Sequence, residues 1–317
     1  MLRYIGKRIL LAIPTLLIVA VISFAMIRMI PGGPAVNYLG ITATPETVAE
    51  INARLGLDRS IAEQFLEFLK GICTGDFGTS FVYNRPVMSL ILEKLPVTLQ
   101  LTGCAVLVSI LMGIPLGLAA AMKRGSWMDQ GITALAVCGV AIPEFWLSLM
   151  LVQFISLPVA WFPTGGYAAM GEGFLPWLRH ILLPAITLGF IFSAVMCRMT
   201  RSAMIDVLSQ DYIKTARAKG QKEWIVMMLH AFRNAMIPVI TVVGISICSL
   251  IGGAVVVEQI YSIPGIGRLF INAIMDRDYP LFQGLVFYLG AFVVVVNLLV
   301  DMICVLLNPK ISLGDHS

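Results

Sequence analysis

The stretch Ile9–Ile27, ILLAIPTLLIVAVISFAMI, decides the fold: it is apolar throughout and carries no charged side chain. A bilayer core about 30 Å thick is crossed by roughly 20 residues of helix, so this run is long enough to span. Arg3, Lys7 and Arg8 precede it, as they would precede a secretory signal, but no Ala-x-Ala-like cleavage site follows. It is read as a retained span. Working outward, comparable runs occupy Val97–Met122, Gly131–Leu157, Ile181–Cys197, Ile237–Val257 and Leu281–Leu307, giving six spans. Lipid offers no partner to a free backbone N–H or C=O, and the runs lack the alternation of barrel strands, so the expected class is an all-α integral membrane protein. Pro14, Pro115, Pro143 and Pro184 fall within spans, where neighbouring helices accommodate kinks.

Composition agrees. The 317 residues are 58% hydrophobic and 13% charged, with a mean hydropathy of +0.90. Lys and Arg gather on one side: Arg3, Lys7, Arg8, Lys123, Arg124, Arg198, Arg201, Lys214, Arg217, Lys219, Lys222, Arg233 and Lys310, against Arg179, Arg268 and Arg277 in the short connections opposite. The positive-inside rule then places both termini in the cytoplasm. The net charge of +4 follows from this bias and needs no nucleic acid to explain it. Cys104, Cys138, Cys197, Cys248 and Cys304 lie in spans and Cys73 outside, without disulfide or metal spacing.

The expected organisation is an N-terminal tail and first span over 1–30, an extracytoplasmic segment over 31–96, a five-helix core over 97–307 containing a cytoplasmic loop at 205–236, and a cytoplasmic tail over 308–317. Within the outer segment, Thr44-Pro45-Glu46 reads as a helix start, with Val48, Ile51 and Leu55 on one face and a stop at Gly56. A second helix starts near Asp58 or Ser60, places Ile61, Phe65 and Phe68 or Leu69 on one side, and ends at Gly71. This segment is either a cap that touches whatever delivers a solute or a structural lid. Trp161, Phe162, Tyr167, Phe174 and Trp177 in the next outer loop are expected as interface anchors, and Ser262-Ile263-Pro264-Gly265-Ile266-Gly267 as a tight re-entry turn.

Enzyme signatures are missing. The sequence contains no G-x-x-x-x-G-K-[ST], H-E-x-x-H or nucleophile elbow, and His180, His230 and His316 are scattered. Any ATP dependence would come from another subunit. The polar stretch between the fourth and fifth spans, Asp211–Pro238, reads as two short helices turning at Gly220, the second running from about Lys222 to Arg233. Small alanines there allow close approach of a partner surface, and the cations offer complementarity to it or to lipid headgroups.

Ionisable residues in spans mark functional sites by default. Glu144 would lie about 22 Å along a continuous helix from Asp129, at 1.5 Å per residue. It would meet a solute ammonium, pair with an arginine or cap a helix broken at Pro143. Asn297 and Asp301 share a face and are assigned to Arg198 or Arg201. Glu258 is placed with Arg268 as an outer gate or brace. Gly244, Ser246, Cys248, Ser249, Gly252 and Gly253 make the fifth span a close-packing helix.

The run Asp211-Tyr212-Ile213-Lys214-Thr215-Ala216-Arg217-Ala218-Lys219-Gly220, followed by His230-Ala231-Phe232-Arg233-Asn234-Ala235-Met236-Ile237-Pro238, resembles the cytoplasmic loop of ABC importer permeases of the dipeptide, oligopeptide and nickel family. Met29-Ile30-Pro31-Gly32, Leu55-Gly56-Leu57-Asp58, Gly75-Asp76-Phe77-Gly78, Pro264-Gly265-Ile266-Gly267-Arg268, Arg277-Asp278-Tyr279-Pro280 and Asn297-Leu298-Leu299-Val300-Asp301 extend the likeness over nearly the whole chain. The resemblance implies a type I importer permease in a bacterial-type inner membrane. Its partners would be a sister permease, ABC ATPase subunits that bind ATP and Mg, and an extracytoplasmic solute-binding protein; the chain itself would bind no cofactor. It further implies that Tyr212, Lys214, Thr215, Ala216, Arg217, Ala218, Lys219 and Gly220 form the ATPase-coupling element, and that the fifth helix, with Ser246, Ser249 and Gly252, lines the path, to which the charge of Glu144 adds a further candidate. Peptides are the implied solute, with a nickel or metal chelate or glutathione as alternatives; an ion-coupled carrier would need inverted repeats that the sequence does not display. Two positions depart from the pattern. Lys214-Thr215-Ala216 stands where importer loops often carry Glu-Ala-Ala, and Gly33 where relatives often carry aspartate.

Overall fold

A computed structural model describes residues 2–29, 35–36, 39, 44–54 and 56–307. The helices are α1 (Leu2–Arg28), α2 (Pro45–Arg54), α3 (Ile61–Thr74), α4 (Val87–Met122), α5 (Trp127–Ala141), α6 (Glu144–Leu151), α7 (Phe174–Leu208), α8 (Asp211–Ala218), α9 (Arg233–Ile260), α10 (Ile266–Met275) and α11 (Tyr279–Leu307). Among the described residues the one β-type pairing is an isolated bridge, Thr79 with Pro86. Among the described residues five helices are long and apolar enough to cross a membrane, and there are six spans if α5 and the helical stretch Glu144–Ser156, bent by 102° at the break, count as one.

That bend falls at Pro143, where one of the readings of Glu144 placed a break, and it rules out the distance along a continuous helix. Ile142 is extended (ψ 122°) and Pro143 caps α6, because proline drives its predecessor out of the helical region and contributes no N–H. Pro14 and Pro184, by contrast, sit inside unbroken helices. Helices also outrun their apolar windows: the fourth span, expected over Ile181–Cys197, is embedded in Phe174–Leu208.

Contacts divide the chain into two compact units, with boundaries inside α4 and α11. One unit is Leu2–Val97 with Pro264–Val295. Here Ser60 caps α3 through a reciprocal box with Glu63, whose acidity the two Ser60 hydrogen bonds increase. The helix runs past the expected stop at Gly71 to Gly75, which ends it at φ +74°. Gly71 is a close-packing position instead: a Cβ there would lie 2.3 Å from the Asp76 carbonyl oxygen. Ile61 is 70% exposed, and the inner side of α3 is formed by Gln64, Phe65 and Phe68. Leu55 and the 30–34 stretch, including Gly33, lie outside the described residues. The expected turn near Pro264 continues into α10, whose Ile266, Leu269 and Ala273 pack with Val87, Leu90, Ile91, Leu281 and Leu285. Asp278, 1% exposed, caps α11: its carboxylate accepts Leu281 N at 3.2 Å, Val82 N at 3.1 Å and Ser80 Oγ at 2.5 Å.

The other unit comprises Thr98–Ile263 and the described residues from Val296 onward. Glycine sets the α4–α7 separation, since a Cβ on Gly117 would stand 2.4 Å from the Cys197 carbonyl oxygen. α5 is tied to α7 by Asp129, which accepts Arg201 Nε at 2.5 Å and Nη2 at 2.8 Å and also takes the Gly125 N–H at 2.9 Å. Arg201 therefore serves Asp129, not Asn297. Asn297 instead accepts Cys248 Sγ at 3.3 Å, and the Asp301 side chain lies outside what is described.

Candidate functional site: the α7–α9 connection and the broken span

α8 is amphipathic. Ile213 and Ala216 turn inward, at 0% and 9% exposure, onto Met204, Val226, Met227 and Ala231. Lys214, Thr215, Arg217, Ala218 and Lys219 face out. This corrects the expectation for Ala216: its small side chain admits the protein's own core rather than a partner, whereas Ala218 is open. Gly220 takes φ +76° and its N–H donates to Arg217 O at 2.9 Å, closing α8 with a left-handed cap. Beyond it the chain does not form a separate short helix. Glu223–Ile225 passes through a π-helical segment, Val226–Phe232, straight into α9, so the helical stretch runs Glu223–Ile260.

Polar side chains hold the angle between α8 and this helix. Asn234 Nδ2 donates to Tyr212 Oη at 2.9 Å, His230 Nε2 lies 2.8 Å from Gln221 Oε1, and Arg217 grips both carboxylate oxygens of Glu223 at 3.1 and 2.5 Å. The Glu223 hydrogen bonds push the Arg217 guanidinium above its ordinary pKa. Lys214 is 2.8 Å from Asp211. Left facing outward are Tyr212 (44%), Trp224 (63%) and Leu229 (62%). Aromatic and aliphatic groups set among cations suit contact with another protein better than contact with water.

In the broken span, Glu144 occupies the first turn of α6 and is half-buried. It lies against α9: a Cβ on Gly253 would be 2.7 Å from each Glu144 carboxylate oxygen. Of the expected path residues, Gly252 has open space beside it and Ser249 is exposed. Ser246 is turned away, buried and donating to Val242 O at 2.8 Å in its own helix. Hydroxyls in helices readily bond back one turn, which the expectation ignored.

Near the end of α9, Glu258 is fully buried and accepts Thr98 Oγ1 at 2.6 Å. Arg268 belongs to the other unit, on α10. Tyr261 Oη meets Thr187 Oγ1 at 3.2 Å and Ser148 O at 3.4 Å, and burial raises its phenol pKa. Two expected interface aromatics point into the protein: Tyr167 Oη and Trp177 Nε1 both donate to Gln100 Oε1, at 2.9 and 2.8 Å. Phe174 does stay exposed, at 65%. Thr98, Gln100 and Tyr261 escaped sequence reading because each is a polar group among apolar neighbours with no motif around it, and Gly253 was read for helix packing and not for the carboxylate it accommodates.

Known proteins can be set beside this geometry. Residues 113–313 match the family described as binding-protein-dependent transport system inner membrane component, and residues 1–102 match its N-terminal companion. A Brucella suis protein named as a peptide transport system permease is 43% identical over 305 residues, 96% of this chain and 97% of its own. The glutathione transport system permease protein GsiC of Salmonella typhimurium is 41% identical over 311 residues, 98% of this chain and 99% of its own. The inward-facing MetNI methionine ABC transporter superposes with a TM-score of 0.59 at 15% identity, covering 70% of this chain and 97% of that one, a likeness of fold. The full-length match, the helical spans and the absence of strands among the described residues agree: this chain belongs to the binding-protein-dependent transport system inner membrane components, the permease subunits of ABC importers.

Proposed function

We propose that this chain forms, with a sister permease, the path by which a bacterial ABC importer moves peptides across the inner membrane. The observation that supports the coupling assignment is the set of side chains the α7–α9 connection leaves exposed, Tyr212, Trp224 and Leu229 together with Lys214, Lys219 and Lys222, on a scaffold held by its own hydrogen bonds. That face docks an ATPase subunit, which binds ATP and Mg and hydrolyses the nucleotide; this chain does not. Closure of two ATPases pulls on α8, and because the connection is continuous with α9, the pull reaches the helix beside Glu144. An alternating-access cycle follows, loaded from outside by a solute-binding protein.

In this reading both termini and the 205–236 loop are cytoplasmic, and the 31–96 segment is external. The likeness to GsiC supports a second solute, glutathione, itself a tripeptide. Proteoliposomes containing both permeases, the ATPases and the cognate binding protein test the assignment. Uptake of peptide that requires internal ATP is expected; uptake driven by an ion gradient without ATPases would overturn it.

A further inference from the structure

Glu144 stands out among the charged side chains of the spans. Asp129, the other carboxylate of the same broken span, is held by an arginine, the Gly125 backbone N–H and the Thr133 hydroxyl. Glu144 has neither an ion pair nor a hydrogen bond to its carboxylate among the described residues. It is half-buried, and its oxygens are not among the sealed polar atoms. Its carboxylate is seated against α9 at Gly253, where a Cβ would lie 2.7 Å from each of its oxygens, and the adjacent Gly252 has open space beside it. A carboxylate at membrane depth is costly and is retained where it meets a partner or lines a water-filled cavity.

We propose that Glu144 is a binding residue for the ammonium group of the transported solute, with Gly253 making room for its carboxylate against α9. This rests on the importer reading above and deepens it. An ammonium brings three N–H donors and a compact charge, and the carboxylate supplies acceptors only, so the two match without any further protein group. In a peptide the group is the free amino terminus. The break at Pro143 is what places the carboxylate there: it starts a new helix at residue 144 and bends the span by 102°.

The test uses the assembled transporter in nanodiscs with Gly252→Cys as a reporter. Labelling at residue 252 by a trimethylammonium-ethyl and by a sulfonatoethyl methanethiosulfonate is read by mass spectrometry. The cationic reagent should react faster, and Glu144→Gln should lower the cation-to-anion rate ratio roughly tenfold, the scale of one charged hydrogen bond, while Glu144→Asp preserves it. A ratio insensitive to Glu144→Gln, or a residue 252 that neither reagent reaches, overturns the proposal. In the second arm, uptake of trialanine by Glu144→Gln should show KM raised about tenfold with a smaller change in kcat. Loss of kcat with KM unchanged would make Glu144 a positioning residue and overturn its binding role. Should the wild-type complex fail to take up trialanine, the peptide reading fails, and the reporter ratio still decides the ammonium site.

Discussion

The α7–α9 connection and the break at Pro143 both interrupt long apolar helices, and they handle charge in opposite ways. In the connection Asp211 pairs with Lys214, Arg217 with Glu223, Gln221 with His230 and Tyr212 with Asn234. At the break the single carboxylate, Glu144, faces a glycine. Internal pairing fixes a shape and leaves binding to the apolar groups that remain outside, whereas an unmatched charge is available to a ligand.

The comparison breaks most visibly at Ala216. Ala216→Asp would bury an unpaired carboxylate among Ile213, Met204 and Val226, at a cost on the order of 3 kcal/mol or more. ATP-driven uptake should disappear while membrane insertion persists, checked by flux assay and membrane fractionation; substantial uptake would show that the connection needs no rigid core. Gly220→Val comes next, since a β-branched residue at φ +76° costs about 1–2 kcal/mol, and Gly220→Asn, which tolerates the left-handed region, should recover most of the uptake. On the other side of the comparison, Gly253→Ala forces the Glu144 carboxylate aside, since the new Cβ would lie 2.7 Å from both its oxygens. A modest rise in KM for trialanine, about threefold, is expected from losing part of one charged contact. An unchanged KM would mean that Gly253 serves helix packing alone.

Much of this fold was readable from residue type. Span number follows from run length against bilayer thickness, and the α3 start and Gly56 stop follow from local capping chemistry, which needs no tertiary information. What failed depended on facing. Ala216 and Ala218 are the same residue two positions apart, one packed inward and one open, and only the position of Met204 and Val226 decides which is which. Gly71 and Gly75 are likewise indistinguishable by propensity; Gly71 stays helical against the Asp76 carbonyl while Gly75 adopts the left-handed cap. α10 was hidden because Pro264 and Gly265 read as a turn and its ten residues are too short for a span. Ser246 and Ser249 show the same limit inside one helix: identical chemistry, with burial set by the neighbours.

The smallest effect should come from the most conspicuous pair. Arg217 and Glu223 make two contacts at 3.1 and 2.5 Å, yet both side chains are about half exposed, at 42% and 56%. Solvent screens such pairs, so the coupling in a double-mutant cycle of Arg217→Ala and Glu223→Ala should be about 0.2–1 kcal/mol by thermal unfolding, falling further in high salt. Transport should respond differently if the connection docks an ATPase as proposed: Glu223→Ala leaves the Arg217 guanidinium without its carboxylate and open to a partner, whereas Arg217→Ala removes a cation from the connection. ATPase affinity should therefore rise or hold in the first and fall in the second, measured by subunit titration in detergent. Equal losses in both would mean that the pair fixes the shape of the connection, and that its outward charges contribute nothing to docking.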